Sequence, residues 1–283
     1  MIGDLAPAAD LFPADVANGL RQASRNHQVL AGFDFPIGLP TAYAQRTGFP
    51  HFRAFLQALS CGQWPHWLLP GQIVQDISVY RPFYPQATAE KGSQHRAQLT
   101  NALNLTWDQL HRRCDRAAGM GNAAAVMFWT LGGNQVGKAM IAGLKEIILP
   151  LQGESHLWPF DGDLHDSTAR LTLAETYPTR FYDLLGLTPR QKPGKTDPQK
   201  LMALAPALLD KAQALSITLS PPIEHMVRTG FAGHKAKAND DAFDALVGAI
   251  GMIATHDGHR PEHPPLTADE QAWEGWMLGA HLP

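Results

Sequence analysis

Three groups of carboxylates are placed where they could share one site. Asp34 follows an apolar run at 29–33, Glu175 follows a second at 171–174, and Asp240, Asp241 and Asp244 open a third segment. Asp241 and Asp244 are three residues apart, which sets them on one face of a helix. Carboxylates gathered at a strand edge suit hard cations such as Mg²⁺, which take oxygen ligands and keep several waters. Two such ions about 4 Å apart can activate a water and stabilise the leaving oxygen of a phosphodiester. Each group also has a plainer reading. Asp at a helix N-terminus is favoured by capping and by the macrodipole. That accounts for Asp240 and Asp241 better than for Asp244, which lies past the first turn.

The elements that must position these residues follow from pattern. Residues 14–26 read as a helix with Val16, Leu20 and Ala23 on one side. The unbroken small and apolar run 29–33 reads as a strand covered on both faces, as in a parallel sheet, and Pro36, Gly38 and Pro40 stop it. Asp34 then sits at the C-terminal edge of that strand, where open α/β sheets place ligands. Residues 170–177 read as a second strand, and 179–185 as a helix stopped by Gly186. Asp197-Pro198 offers an N-cap followed by Pro at the first helical position, opening a helix toward residue 215 that breaks near Pro206. Residues 216–220 suit a short strand. Residues 239–254 form a helix rich in small side chains that could pack closely on a sheet. Segment 106–118, the residues leading up to Pro150, and 268–278 also show helical patterns. Two basic, Gly-containing loops, 189–195 and 228–238, carry Arg190, Lys192, Lys195, Lys235 and Lys237. These cations could contact phosphates or simply face solvent.

A competing phosphate motif lies at 132–138, GGNQVGK, which fits G-x-x-x-x-G-K. It follows VMFWTL, a possible strand, and precedes a helix, so main-chain N–H groups and Lys138 could hold a nucleotide's phosphates. Ala139 stands where the Mg²⁺-holding Ser or Thr belongs, and no apolar strand ending in Asp follows. The alternative is a helix-start turn with Lys138 exposed or lining a cleft. Thirteen histidines show no zinc spacing, and no Ser lies in a GxSxG elbow. Cys61 and Cys114 are too few for a disulfide framework. Trp64, Trp67, Tyr80, Phe83 and Tyr84 suit core packing better than base stacking.

Composition bounds these readings. A chain of 283 residues, 45% hydrophobic and 17% charged, can bury a core, and its 25 Gly and 22 Pro imply many loops. A net charge of −3 argues against electrostatic coating of nucleic acid, though not against an enzyme with a local basic groove. The longest uncharged stretch, 117–137, is too polar to span a membrane, and the N-terminus lacks a signal peptide's basic region. The expectation is a cytoplasmic protein with no membrane partner, of open oligomeric state.

Three segments together resemble one family. GFDFPIGLP (32–40), LAETYPT (173–179) and DDAFDALVGAIGMIA (240–254) look like the two acidic strands and the C-terminal helix of the domain of unknown function 429 family, predicted ribonuclease H-like nucleases. The helix is also similar to the last catalytic helix of Holliday-junction resolvases, and the terminal EGWMLG (274–279) is family-like. The ordered set covers about residues 15–280.

The resemblance implies one ribonuclease H-like α/β domain over 1–283, a mixed sheet flanked by helices, with a mostly helical insertion at about 41–165. It implies a metal-dependent phosphodiesterase using Mg²⁺ or Mn²⁺, with two ions. Asp34, Asp241 and Asp244 would bind metal, and Glu175 would support the site. The substrate would be nucleic acid or a nucleotide, contacted by Lys138 and the loop cations. That fold begins with a β-meander whose first strand carries an essential Asp. Ahead of residue 34 this chain offers about one helix, and Asp4 follows only three residues. Either the true start lies upstream or the meander is lacking and the chain is inactive. The alternative functions are a non-catalytic nucleic-acid- or partner-binding protein on the same fold, and a nucleotide-binding protein using 132–138.

Overall fold

The computed structural model describes residues 3–5, 15–85, 92–116, 125–132, 135–166, 168–186, 197–232 and 238–281. Within them the chain is an α/β protein. Its strands are β1 (Gly3–Leu5), β2 (Val29–Phe33), β3 (His156–Leu157), β4 (Leu171–Glu175) and β5 (Ile217–Leu219). The principal helices are α1 (Val16–Asn26), α2 (Phe52–Ser60), α3 (Gly92–Leu103), α4 (Val136–Gly143), α5 (Ala205–Ala214), α6 (Pro221–Arg228) and α7 (Asp240–His256). Strands β2, β4 and β3 form a small sheet in that order, with both pairings parallel. β1 pairs in parallel with β5, apart from that sheet.

The two apolar runs that flank the acidic residues do become neighbouring strands. Val29 pairs with Leu171 and Phe33 with Glu175. The central strand, β4, is buried at all five positions, whereas β2 is only half-buried along its length. The expectation that β2 is covered on both sides is therefore corrected: among the described residues it is an edge strand. The described three-stranded sheet is parallel and not mixed, and no described meander precedes β2. Asp4 lies in β1, outside the sheet that leads to Asp34.

The alternation of side chains along a strand assigns the two faces of the sheet. Ala31, Phe33, Leu171 and Leu173 join the apolar core that contains Leu56, Trp67, Phe128 and Met140, so much of the 41–165 segment packs on that face. Leu30 and Ala174 turn to the other face and meet Met252 of α7. α7 also belongs to a second cluster, with Phe181, Leu208 and Val227. Its N-cap is Asn239, whose side-chain oxygen accepts from the N–H of Ala242 at 3.1 Å.

Some local patterns give way to tertiary contacts. Segment 106–118 does not form the expected helix; the described part holds two 3₁₀ turns, Asp108–Leu110 and Arg113–Asp115. Its side chains Arg112 and Asp115 are drawn into a buried ionic cluster instead. Segment 126–131 is not a strand. At 268–278 one π turn, Glu270–Glu274, ends at Gly275 (φ 63°), and Met277 then bridges to Glu175. Helix 197–215 is interrupted as expected, giving Pro198–Met202 and α5.

Candidate active site

A cavity of about 870 Å³ opens between β2, the end of β4 and α7. Asp34, Asp241 and Asp244 all line it. Asp34 is exposed on the turn that follows β2, at the C-terminal edge of the sheet. Asp241 is exposed in the first turn of α7, and Asp244, one turn further on, is half-buried. Two segments more than two hundred residues apart thus bring three carboxylates to one cavity. Asn239 performs the capping, so Asp241 and Asp244 are not needed for it. The positive end of the helix dipole favours negative charge there. The buried Tyr182, on a 3₁₀ segment (Pro178–Leu185), donates its hydroxyl to Asp244 Oδ1 at 3.1 Å and orients it.

The structure does not bring Glu175 to this cavity. Thr172 and Thr176 of the β4 segment line the cavity; Glu175, alternating with them, points to the opposite face. There Arg112, fully buried, binds it with two nitrogens, Nη1 to Oε2 at 2.6 Å and Nη2 to Oε1 at 2.7 Å. Arg112 also donates to Asp115 at 2.8 and 3.0 Å. Burial pushes the Glu175 carboxyl up to about 7, against the pull of the Arg112 guanidinium. Burial alone would lower Arg112, but the Asp115 and Glu175 carboxylates hold it charged, well above its ordinary value. Glu175 Oε2 accepts the N–H of Ile37 at 2.6 Å. Its part in the site is therefore indirect: it ties down the turn that carries Asp34. Gly38 completes that turn with φ 130°, where a Cβ would collide with the carbonyl oxygen of Glu274.

Two features of the cavity were not singled out from sequence. Thr176 is 6% exposed and its hydroxyl has no hydrogen-bond partner, although it stands on the cavity wall. Nothing in the sequence marks that hydroxyl. At the far end, His256 Nδ1 lies 2.9 Å from Asp257 Oδ1, and His165 Nε2 lies 3.0 Å from the His256 carbonyl oxygen. The signal for His256 was present: it falls on the helical stripe that runs through Asp241, Ala245, Gly248 and Met252.

The 132–138 motif loses its phosphate-binding context. Among the described residues, 125–132, no strand precedes it, and Gly133 and Asn134 lie outside the described residues. The N–H of Gly137 donates to the carbonyl of Trp129 at 2.8 Å, and a Cβ at Gly137 would meet the carbonyl oxygens of Met127 and Trp129 at 2.8 Å. Close packing explains that glycine. Lys138 sits half-buried in the first turn of α4 and does not line the cavity. Arg190, Lys192, Lys195, Lys235 and Lys237 lie outside the described residues.

The donor set at the acidic end is made of carboxylate oxygens, which suits Mg²⁺ or Mn²⁺ and not a soft metal. Among the described residues, no three His, Cys, Asp or Glu side chains are grouped so as to hold one ion. The acidic end is thus not a finished protein cage. Mg²⁺ commonly uses one or two carboxylates, completed by waters and substrate phosphate. No described helix is long and apolar enough to cross a membrane. No protein-family model, curated protein or solved structure matches the chain.

Proposed function

We propose that the protein is a divalent-metal-dependent phosphodiester hydrolase, a nuclease of ribonuclease H-like type, working at the acidic end of this cavity. The observation that carries the reading is the arrival of Asp34, Asp241 and Asp244 in the lining of one cavity while Asn239 caps the helix. The likeness of residues 32–40, 173–179 and 240–254 to the acidic strands and helix of that nuclease family supports it.

Mg²⁺ or Mn²⁺ would be held by the carboxylates of Asp34, Asp241 and Asp244, no more than two of them on one ion, with waters and substrate phosphate completing the shell; its chemistry is to activate a water and neutralise charge on the departing oxygen. The chain's own residues do the rest. Tyr182 fixes the rotamer of Asp244. Glu175, through Ile37, fixes the turn bearing Asp34. Thr176 offers a hydroxyl donor on the wall.

The test is hydrolysis of bis(p-nitrophenyl) phosphate and of labelled DNA and RNA oligonucleotides, with Mg²⁺, with Mn²⁺ and with EDTA. Metal-dependent turnover is expected, falling at least about a hundredfold in Asp244→Asn and in Asp34→Asn, as for loss of a group that stabilises developing charge. Both variants should keep the parent's circular dichroism. Absence of metal-dependent turnover, or full activity in both variants, refutes the reading.

A further inference from the structure

At the end of the cavity remote from Asp241 and Asp244, two histidines are held as metal ligands are held. His256 is the last residue of α7, about 22 Å along the helix from Asp241 at 1.5 Å per residue. His165 belongs to a 3₁₀ turn, Leu164–Asp166, and both residues line the cavity. Their hydrogen bonds settle which nitrogen of each ring carries the proton. A carboxylate and a carbonyl only accept, so His256 donates its Nδ1–H to Asp257 Oδ1 at 2.9 Å, and His165 donates its Nε2–H to the His256 carbonyl at 3.0 Å. In the neutral rings the lone pairs are then left on His256 Nε2 and His165 Nδ1. Among the described residues neither of these nitrogens has a hydrogen-bond partner.

A metal-bound imidazole characteristically gives its other N–H to a carboxylate or a main-chain carbonyl, which fixes the tautomer and raises the basicity of the ligating nitrogen. Here one ring uses each kind of acceptor. The spacing also fits a single ion. A metal about 2.0–2.1 Å from an imidazole nitrogen lies roughly 3.2 Å from the centre of that ring. Two rings on one ion, at a ligand angle of about 90–109°, then have centres about 4.5–5.2 Å apart. The centres of His165 and His256 are 4.9 Å apart, with the rings inclined at 55°, which is not parallel stacking. The local charge favours a cation. His256 ends a helix of 17 residues, whose C-terminus is the negative end of its dipole. Among the described residues no Lys or Arg lines the cavity.

We propose that His165 Nδ1 and His256 Nε2 bind one divalent transition ion of the Zn²⁺, Ni²⁺ and Cu²⁺ class, with Asp257 as a positioning residue behind His256. Imidazole nitrogen suits these ions, whereas carboxylate and water suit Mg²⁺. Among the described residues no three His, Cys, Asp or Glu side chains are grouped so as to hold one ion, so water completes the shell and leaves exchangeable positions on the cavity side. A separation of about 22 Å from Asp241 is far beyond the roughly 4 Å of a two-ion hydrolytic pair, so this ion is not a member of one with the acidic end. The inference goes beyond the hydrolase reading and does not rest on it.

The experiment uses the 283-residue protein, stripped with EDTA and dialysed, titrated calorimetrically with Zn²⁺ in a large excess of Mg²⁺ that occupies the carboxylate end. One Zn²⁺ per chain is expected, with micromolar affinity. His165→Ala and His256→Ala should each weaken it at least about tenfold, and the double variant should lose no more than background, as for two ligands on one ion. Asp257→Asn keeps an acceptor for Nδ1–H but removes its charge, and should weaken binding about tenfold. The exposed His259→Ala and the distant Asp244→Asn should leave it unchanged. With Cu²⁺ in place of Zn²⁺, electron paramagnetic resonance should show two imidazole nitrogens on the ion in the parent and one in each single variant. His165 is exposed, so its variant answers the question even where His256→Ala does not fold. No stoichiometric binding by about 0.1 mM Zn²⁺ overturns the proposal. So does unchanged affinity in His165→Ala, a single nitrogen on Cu²⁺ in the parent, or a loss confined to Asp244→Asn, which would place the ion at the acidic end. Zinc binding that persists in a protein without Mg²⁺-dependent turnover separates this site from the hydrolase reading.

Discussion

Replacing Arg112 by alanine removes the one cation at the centre of the Glu175–Asp115 cluster. Its side chain is fully buried and donates to both carboxylates, and also to the carbonyls of Ile37 at 3.1 Å and Glu274 at 3.3 Å. Breaking a buried pair by removing one partner typically costs about 3–5 kcal/mol, because the remaining charge stays buried and uncompensated. Against a usual total stability of roughly 5–15 kcal/mol, that is a large share.

The cluster also has a pH signature. Glu175 titrates at about 7 in the folded protein, against 4.5 for a glutamate in water, so the folded state binds its proton more tightly. Its contribution is fully present below pH 4.5 and is lost as pH rises through 7. The fall across that window amounts to roughly 3 kcal/mol. Glu175→Gln should flatten this part of the profile, since the amide stays neutral throughout. Urea unfolding monitored by tryptophan fluorescence, repeated from about pH 4.5 to about 7.5 to bracket that window, measures both effects. An Arg112→Ala loss below about 1 kcal/mol would contradict the uncompensated-charge argument. A Glu175→Gln profile that superimposes on the parent's would contradict the assigned titration.

Two further changes probe the elements that present the acidic residues to the cavity. Asn239→Ala deletes the cap of α7 and should lower stability by about 0.5–2 kcal/mol, whereas Asp240→Asn should change it by only a few tenths; differential scanning calorimetry distinguishes them. Gly38→Ala forces a Cβ onto the Glu274 carbonyl at φ 130° and should cost at least about 1–3 kcal/mol in chemical denaturation. A neutral result there would mean that the turn following Asp34 is free to shift.

The strands and helices around the site were legible because their signals are local. The apolar run before Asp34 and the one before Glu175 became β2 and β4, and the NDD start before a small-residue run became α7 with Asn239 as its cap. The shared position of Asp34, Asp241 and Asp244 was legible because strand ends and helix starts meet at one edge of an α/β sheet. Segment 106–118 misled, because helical spacing is a weak preference and the burial of Arg112 against two carboxylates outweighs it.

What the sequence determined by itself is the order of the elements, the chemistry of the acidic residues and the absence of a finished P-loop at Ala139. Tertiary structure alone decided which face Glu175 takes, because alternation fixes that two carboxylates are on opposite sides only once the register Phe33–Glu175 is known. It alone decided that β2 is an edge among the described strands, since an apolar run looks the same in a covered and an uncovered strand. It alone left the Thr176 hydroxyl unpartnered on the wall of a cavity, because such a vacancy is a property of how distant segments fail to fill space together.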